Sequence, residues 1–229
     1  MVRLDRHWER LEKSAELLGQ PFLVSREWLR TMLRRAVERA GIDLPRIRLT
    51  VPADAPDSAI ITLEPFNPPP DNLYQRGVRI ALVEMERALP RAKDSRFVEA
   101  RTRILKSLPP DVYEAVLCDR EGRVREGMTS NFYAVLDGSL RTAERKVLEG
   151  IARGMVLEIA LEVLPVTYRS IHCDDLPRVQ EAMLSSASRG LIPIVQIDST
   201  PIGGGRPGPY YLALRARYDA LVEQELEPL

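Results

Sequence analysis

Apolar residues recur at helical spacing near the start of the chain and at strand spacing soon afterwards. Leu4, Trp8, Leu11, Ala15 and Leu18 stand three or four positions apart with arginines and glutamates between them, which predicts an amphipathic helix over Leu4–Leu18. Trp28, Met32, Leu33 and Ala36 repeat that spacing over roughly Arg26 to Arg39, where Ser25 can cap the start and Gly41 the end. The β-branched runs Ile47–Val51 and Ala59–Glu64 then read as strands separated by the turn-forming PADAPD. Pro65–Asn72 is a proline-rich loop, and VRIALVE at Val78–Glu84 is a third strand.

The second half changes texture. Arg96–Lys106 reads as a helix ended by Leu108-Pro109-Pro110. Tyr113–Asp119, a turn at Arg120–Arg123, then VREG and NFYAVL make strand, turn and strand. A helix from about Gly150 to Val163 follows, then strands in PVTYRS, EAMLSSA and PIVQID, a glycine loop and a closing helix. This order predicts an α/β protein with a small α+β domain over 1–86, a linker at about 87–92 and a larger α/β domain over 93–229.

Composition removes several classes of function. Lys+Arg and Asp+Glu are 33 each, so nothing in the net charge draws the chain to nucleic acid or an anionic membrane. No apolar run approaches the roughly 18 residues that span a bilayer. Cys118 and Cys173 are far apart and lack the spacing of a zinc site, so no metal is expected and a reducing cytoplasm is the expected location. The N-terminal MVRLDRHWERLEKSAELLG is charged throughout, unlike a signal peptide.

Candidate chemistry lies in five short motifs taken in order: LDRHWERLEKSAELLG, LPRAKDSRFVEAR, YEAVLCDREGRVREGMTSNFYAV, TAERKVLEGIARGMVLEIA and EAMLSSASRGLIPIVQID. Each has a bland reading. Arg10 is one of several arginines on a helix, and such side chains are ordinarily solvated. Lys93 is a loop lysine, though lysine is scarce, with only Lys13, Lys93, Lys106 and Lys146 present. Glu126-Gly127 could be a plain turn, and Gly150 a plain helix start. The series taken together resembles the class IV, branched-chain-like, pyridoxal-phosphate aminotransferases, and it runs from Leu4 almost to the C-terminus.

That resemblance implies pyridoxal 5'-phosphate as cofactor and Lys93 as the Schiff-base lysine and proton-shuttling base. It implies that Glu126 pairs with the pyridine nitrogen, keeping the ring an electron sink, and that Asn131 sits beside the cofactor. Arg10, in register with His7 and Leu11, would hold the phosphate, for which a guanidinium fork is well shaped. Backbone amides of Ile151 and Ala152, after Gly150, would bind phosphate at a helix start. Ala152 and Ala187 stand where the family has threonines, and Ser186 or Ser188 next to Ala187 could supply a hydroxyl.

The implied fold is the two-domain fold-type IV architecture, a small α+β domain and a larger barrel-like α/β domain, commonly as a homodimer. The implied reaction moves an amino group between an amino acid or amine and a 2-oxo acid. A lyase of the aminodeoxychorismate kind, or a shortened cofactor-binding relative with little activity, are the alternatives. Family members begin with about two or three strands ahead of the His-x-x-Arg-Leu helix, whereas this chain opens almost on the helix.

Overall fold

The computed structural model describes residues 1–229. The chain forms two compact units, Met1–Pro68 with Glu225–Leu229, and Pro69–Gln224.

In the first unit, α1 (Leu4–Leu17) and α2 (Arg26–Ala40) accompany a hairpin of β1 (Pro45–Thr50) and β2 (Ile60–Pro65). The second helix is bounded by local side-chain and backbone chemistry. Ser25 Oγ accepts from the Trp28 amide at 3.2 Å, satisfying one of the first-turn donors, and Gly41 closes α2 at φ 60°, where a Cβ would be strained. The apolar stripes meet in a small core of Trp8, Val24, Leu29 and Leu33, with Leu229 of the C-terminal segment packed against it. Each such side chain contributes about 1.5–3 kcal/mol by leaving water.

The second unit is a closed strand barrel. Its strands are β3 (Val78–Glu84), β4 (Glu114–Cys118), β5 (Val124–Gly127), β6 (Asn131–Leu136), β7 (Ser139–Arg141), β8 (Val166–Thr167), β9 (Glu181–Ser186), β10 (Gly190–Ile197) and β11 (Thr200–Pro201). Pairing runs β10-β3-β4-β5-β6-β9 and returns from β9 to β10, so six strands close on themselves and leave no free edge in the ring. Their shared interior holds Ile80, Val116, Phe132, Ala134, Leu184 and Ile192, all essentially buried. On β6 and β9 the alternate residues Tyr133, Val135 and Met183 are buried too, because α5 (Ile151–Ala160) and α6 (Pro209–Gln224) pack over the outer face of β9. This explains why NFYAVL reads as continuously apolar instead of alternating. α4 (Phe97–Ser107) covers β4.

Two differences from the sequence-based expectation have clear causes. The strand Val78–Glu84, expected at the end of the small domain, pairs in parallel with β4 and β10 and so lies in the second unit. The loop expected over 65–72 yields at Asp71, where a short helix α3 (Asp71–Arg76) begins with an acidic residue in its first turn.

Candidate active site

Glu126 is the centre of the candidate site in the second unit. It lies on β5 opposite Asn131 on β6, and its carboxylate side chain is only 3% exposed. One oxygen, Oε1, accepts from Arg87 Nη1 at 2.8 Å; the other, Oε2, accepts from the Leu148 amide at 2.8 Å. Burial pushes the Glu126 pKa up, while Arg87, the Leu148 amide and the more distant Arg153 pull it back. Asn131 Nδ2 donates to the Leu148 carbonyl at 2.8 Å, so Glu126 and Asn131 together grip both backbone polar atoms of one residue. Leu148 is thereby fixed just ahead of the start of α5.

The start of α5 is built for close approach. Gly150 is its extended N-cap and offers no side chain to the first-turn amides of Ile151 and Ala152. A Cβ on Gly150 would lie 2.3 Å from Asn131 Oδ1, so only glycine lets Asn131 pass there. Ala152 is buried in the first turn, and Arg153 behind it is buried and donates to the Ala143 carbonyl at 2.9 Å.

Lys93 lies exposed in the segment between β3 and α4. Its neighbour Ala92 is fully buried, and the Ala92 carbonyl accepts from Arg87 Nη2 at 3.1 Å. The same guanidinium therefore touches Glu126 and the backbone one residue before Lys93. Asp94 Oδ1 accepts from the Arg96 amide at 2.8 Å, turning the chain into α4.

Ser186 ends β9, and Ala187 is exposed in the turn to β10. Ser186 Oγ accepts from Arg189 Nε at 2.9 Å, which leaves its own hydroxyl hydrogen to donate elsewhere. Arg189 also donates to Glu114 Oε2 at 2.9 Å and to Thr129 Oγ1 at 2.6 Å, tying this turn to the 128–130 loop beside Asn131. In that loop the Ser130 hydroxyl is buried without a hydrogen-bond partner. Arg10 belongs to the first unit, where burial lowers its pKa and its Nη2 lies 3.4 Å from His7 Nδ1.

The amino-transferase class IV family model matches residues 1–197. The chain belongs to the class IV aminotransferases. A branched-chain-amino-acid aminotransferase of Pseudomonas aeruginosa is 25% identical over 99% of this chain and 80% of its own length. A D-alanine aminotransferase of Staphylococcus aureus is 27% identical over 95% of this chain and 82% of its own length. Among solved structures, a T.th. branched-chain amino acid aminotransferase with pyridoxamine 5'-phosphate superposes with a TM-score of 0.85 at 26% identity, covering 97% of this chain and 80% of that one. Class IV aminotransferases use pyridoxal 5'-phosphate, and this member is an enzyme of amino transfer, not the lyase or inactive relative left open by its motifs. No helix of the aminotransferase is long and apolar enough to cross a membrane.

Motif reading misses Arg87, Leu148 and Arg189. Arg87 falls in the expected linker, and with 33 Lys+Arg of which four are lysines, one more arginine carries no signal. Leu148 acts only through its backbone, which no side-chain pattern can reveal.

Proposed function

We propose that this class IV aminotransferase moves an amino group from an aliphatic amino acid to a 2-oxo acid, with Lys93 as the cofactor lysine and Glu126 as the partner of the pyridine nitrogen. The observation that carries the proposal is Glu126 itself: a buried carboxylate with both oxygens bonded, beside Asn131 and the Gly150 cradle. Carboxylates are rarely buried unless paired, and an active site is where such a cost is repaid by chemistry.

The residues present fit the cofactor. The unpartnered Ser130 hydroxyl, the approach kept open by Gly150 and the uncapped start of α5 are donors and space that a phosphorylated ring can use. Pyridoxal 5'-phosphate, when bound, supplies the electron sink that lets an amino acid lose its α-proton. Lys93 Nζ would take that proton and return it. Glu126, as a carboxylate, would accept from the protonated ring nitrogen. The Ile151 and Ala152 amides at the uncapped start of α5 and the Ser186 hydroxyl would donate to phosphate.

Aliphatic donors are supported by the names of the relatives, which act on branched-chain amino acids and D-alanine. A homodimer is proposed from the same family resemblance, and the cytoplasm from the two free cysteines, Cys118 and Cys173.

The deciding experiment adds pyridoxal 5'-phosphate, records the visible spectrum, reduces with borohydride and maps the labelled peptide. Label on Lys93 and amino transfer from aliphatic L- or D-amino acids to pyruvate or 2-oxoglutarate are expected. A protein that stays colourless, or carries label on Lys13, Lys106 or Lys146, sinks the assignment.

A further inference from the structure

We propose that Arg87 is a positioning residue of this site, one guanidinium that holds the Glu126 carboxylate on one side and the backbone of the Lys93 segment on the other. The proposal rests on the reading of Glu126 as partner of the ring nitrogen.

A carboxylate as buried as Glu126 goes neutral unless an opposite charge meets it. Arg87, from the segment after β3, and the Leu148 amide, from the loop before α5, bond it directly, and the charge of Arg153 on α5 adds to them. Only Arg87 is a cation in direct contact, at 2.8 Å. Arg153 spends its Nη2 on the Ala143 carbonyl and acts on Glu126 at longer range. Arg87 therefore favours the ionised carboxylate more strongly than any other side chain does. A carboxylate offers about four acceptor positions, and Arg87 and Leu148 use two, so room for another donor remains.

Arg87 is itself fixed at three points. Nη1 meets Glu126, Nη2 meets the Ala92 carbonyl, and the guanidinium lies over the Phe97 ring with its carbon 4.7 Å from the ring centroid. Its side chain is 11% exposed. A planar fork can make all three contacts together, whereas a lysine ammonium matches the charge but not the geometry. Glu126 and the Lys93 segment come from distant parts of the chain, and Arg87 sets both with one rigid group. Displacement of a reacting group by about 1 Å is enough to cost 10²-fold in rate, so such a link has a catalytic consequence without touching substrate.

The test uses two readouts on the full chain. In the cofactor-free protein with carboxyl-¹³C glutamate, the Glu126 signal is identified by its loss in Glu126→Gln. Arg87→Met is expected to raise its titration midpoint by about one pH unit or more, and Arg87→Lys to keep most of the wild-type value. The second readout is the affinity for pyridoxal 5'-phosphate relative to its 1-deaza analogue, in which the ring nitrogen is a carbon. The wild type is expected to prefer the nitrogen ring; Glu126→Gln and Arg87→Met each lose about tenfold or more of that preference, and Arg87→Lys retains it. Where Arg87→Met does not fold, Arg87→Gln, neutral but polar, carries the same expectation. A preference lost in Glu126→Gln but intact in the neutral Arg87 variants overturns the role of Arg87 and leaves Glu126 in place. A preference intact in Glu126→Gln overturns the reading of Glu126, and the inference falls with it.

Discussion

The site has two ends built from different materials. Around Glu126 the working groups are side chains: Arg87 meets the carboxylate, and Glu126 and Asn131 each hold the backbone of Leu148. Around the start of α5 and the β9–β10 turn, where phosphate is proposed to sit, the donors are backbone amides, one serine hydroxyl and the space kept by Gly150. A backbone amide is supplied by any residue but proline. Ala152, where the family resemblance implies a threonine, therefore leaves the helix-start donors intact, while a change at Glu126 removes the group itself. Chemistry carried by the main chain tolerates substitution that side-chain chemistry does not.

The harshest test of this contrast is one substitution at each end. Glu126→Gln keeps the shape and the bond to the Leu148 amide but removes the charge. It is expected to lower kcat/KM by about 10²–10³-fold with the cofactor still bound. Ser186→Ala at the other end is expected to lose no more than about tenfold, one net hydrogen bond. Steady-state kinetics of both variants, with cofactor content checked by absorbance, decide it. Comparable losses would erase the distinction between the ends.

The Glu126 end also depends on the hairpin that presents it. Asp119, just past the end of β4, has a fully buried carboxylate. It accepts from the Arg123 amide at 2.9 Å, from Arg123 Nε at 3.0 Å and from Arg125. Burial alone would push its carboxyl up, but these bonds outweigh it and hold it well below the usual carboxylate range. Its folded pKa lies below its unfolded one. The stability it contributes is therefore present above the unfolded value and is lost as pH falls through acid towards the folded value. Thermal melts from pH 7 to pH 2 should show this loss. Asp119→Asn should cost about 3 kcal/mol at pH 7 and give a shallower acid limb. An acid limb equally steep in the variant would move the effect to other carboxylates.

What the sequence makes legible follows the same division. Elements set by local chemistry can be read: the stripe Leu4, Trp8, Leu11 predicts α1, and Ser25 and Gly41 bound α2 within a residue of where it lies. Glu126 and Asn131 are legible as members of a motif, and the hairpin geometry places them opposite each other. Ring closure is not, because β9 inserts between β6 and β10 through pairings that no local signal encodes. PIVQID reads as a strand from Pro193, yet β10 begins at Gly190. Its parallel ladder with β3 starts only at Ile194, so Pro193, which has no amide hydrogen to give, lies outside that ladder. Arg87 stays hidden because its meaning comes from meeting Glu126, thirty-nine positions away in sequence.

The smallest expected effect tests whether the phosphate end can be given back a side chain. Ala187 is exposed in the β9–β10 turn, so Ala187→Thr adds a hydroxyl without crowding. One added hydrogen bond is worth about 0.5–1.5 kcal/mol net, a gain of roughly two- to tenfold in cofactor affinity. Ala152→Thr is expected to go the other way, because Ala152 is 4% exposed and extra atoms in a packed first turn cost about 1–3 kcal/mol. Titration of both cofactor-free variants with pyridoxal 5'-phosphate, followed by absorbance, gives the comparison. If Ala187→Thr leaves affinity unchanged while Ser186→Ala lowers it, Ser186 already supplies the hydroxyl. Its oxygen is held by Arg189 and its hydrogen is left to give, so the phosphate end would then have one side chain of its own, positioned as Arg87 positions Glu126.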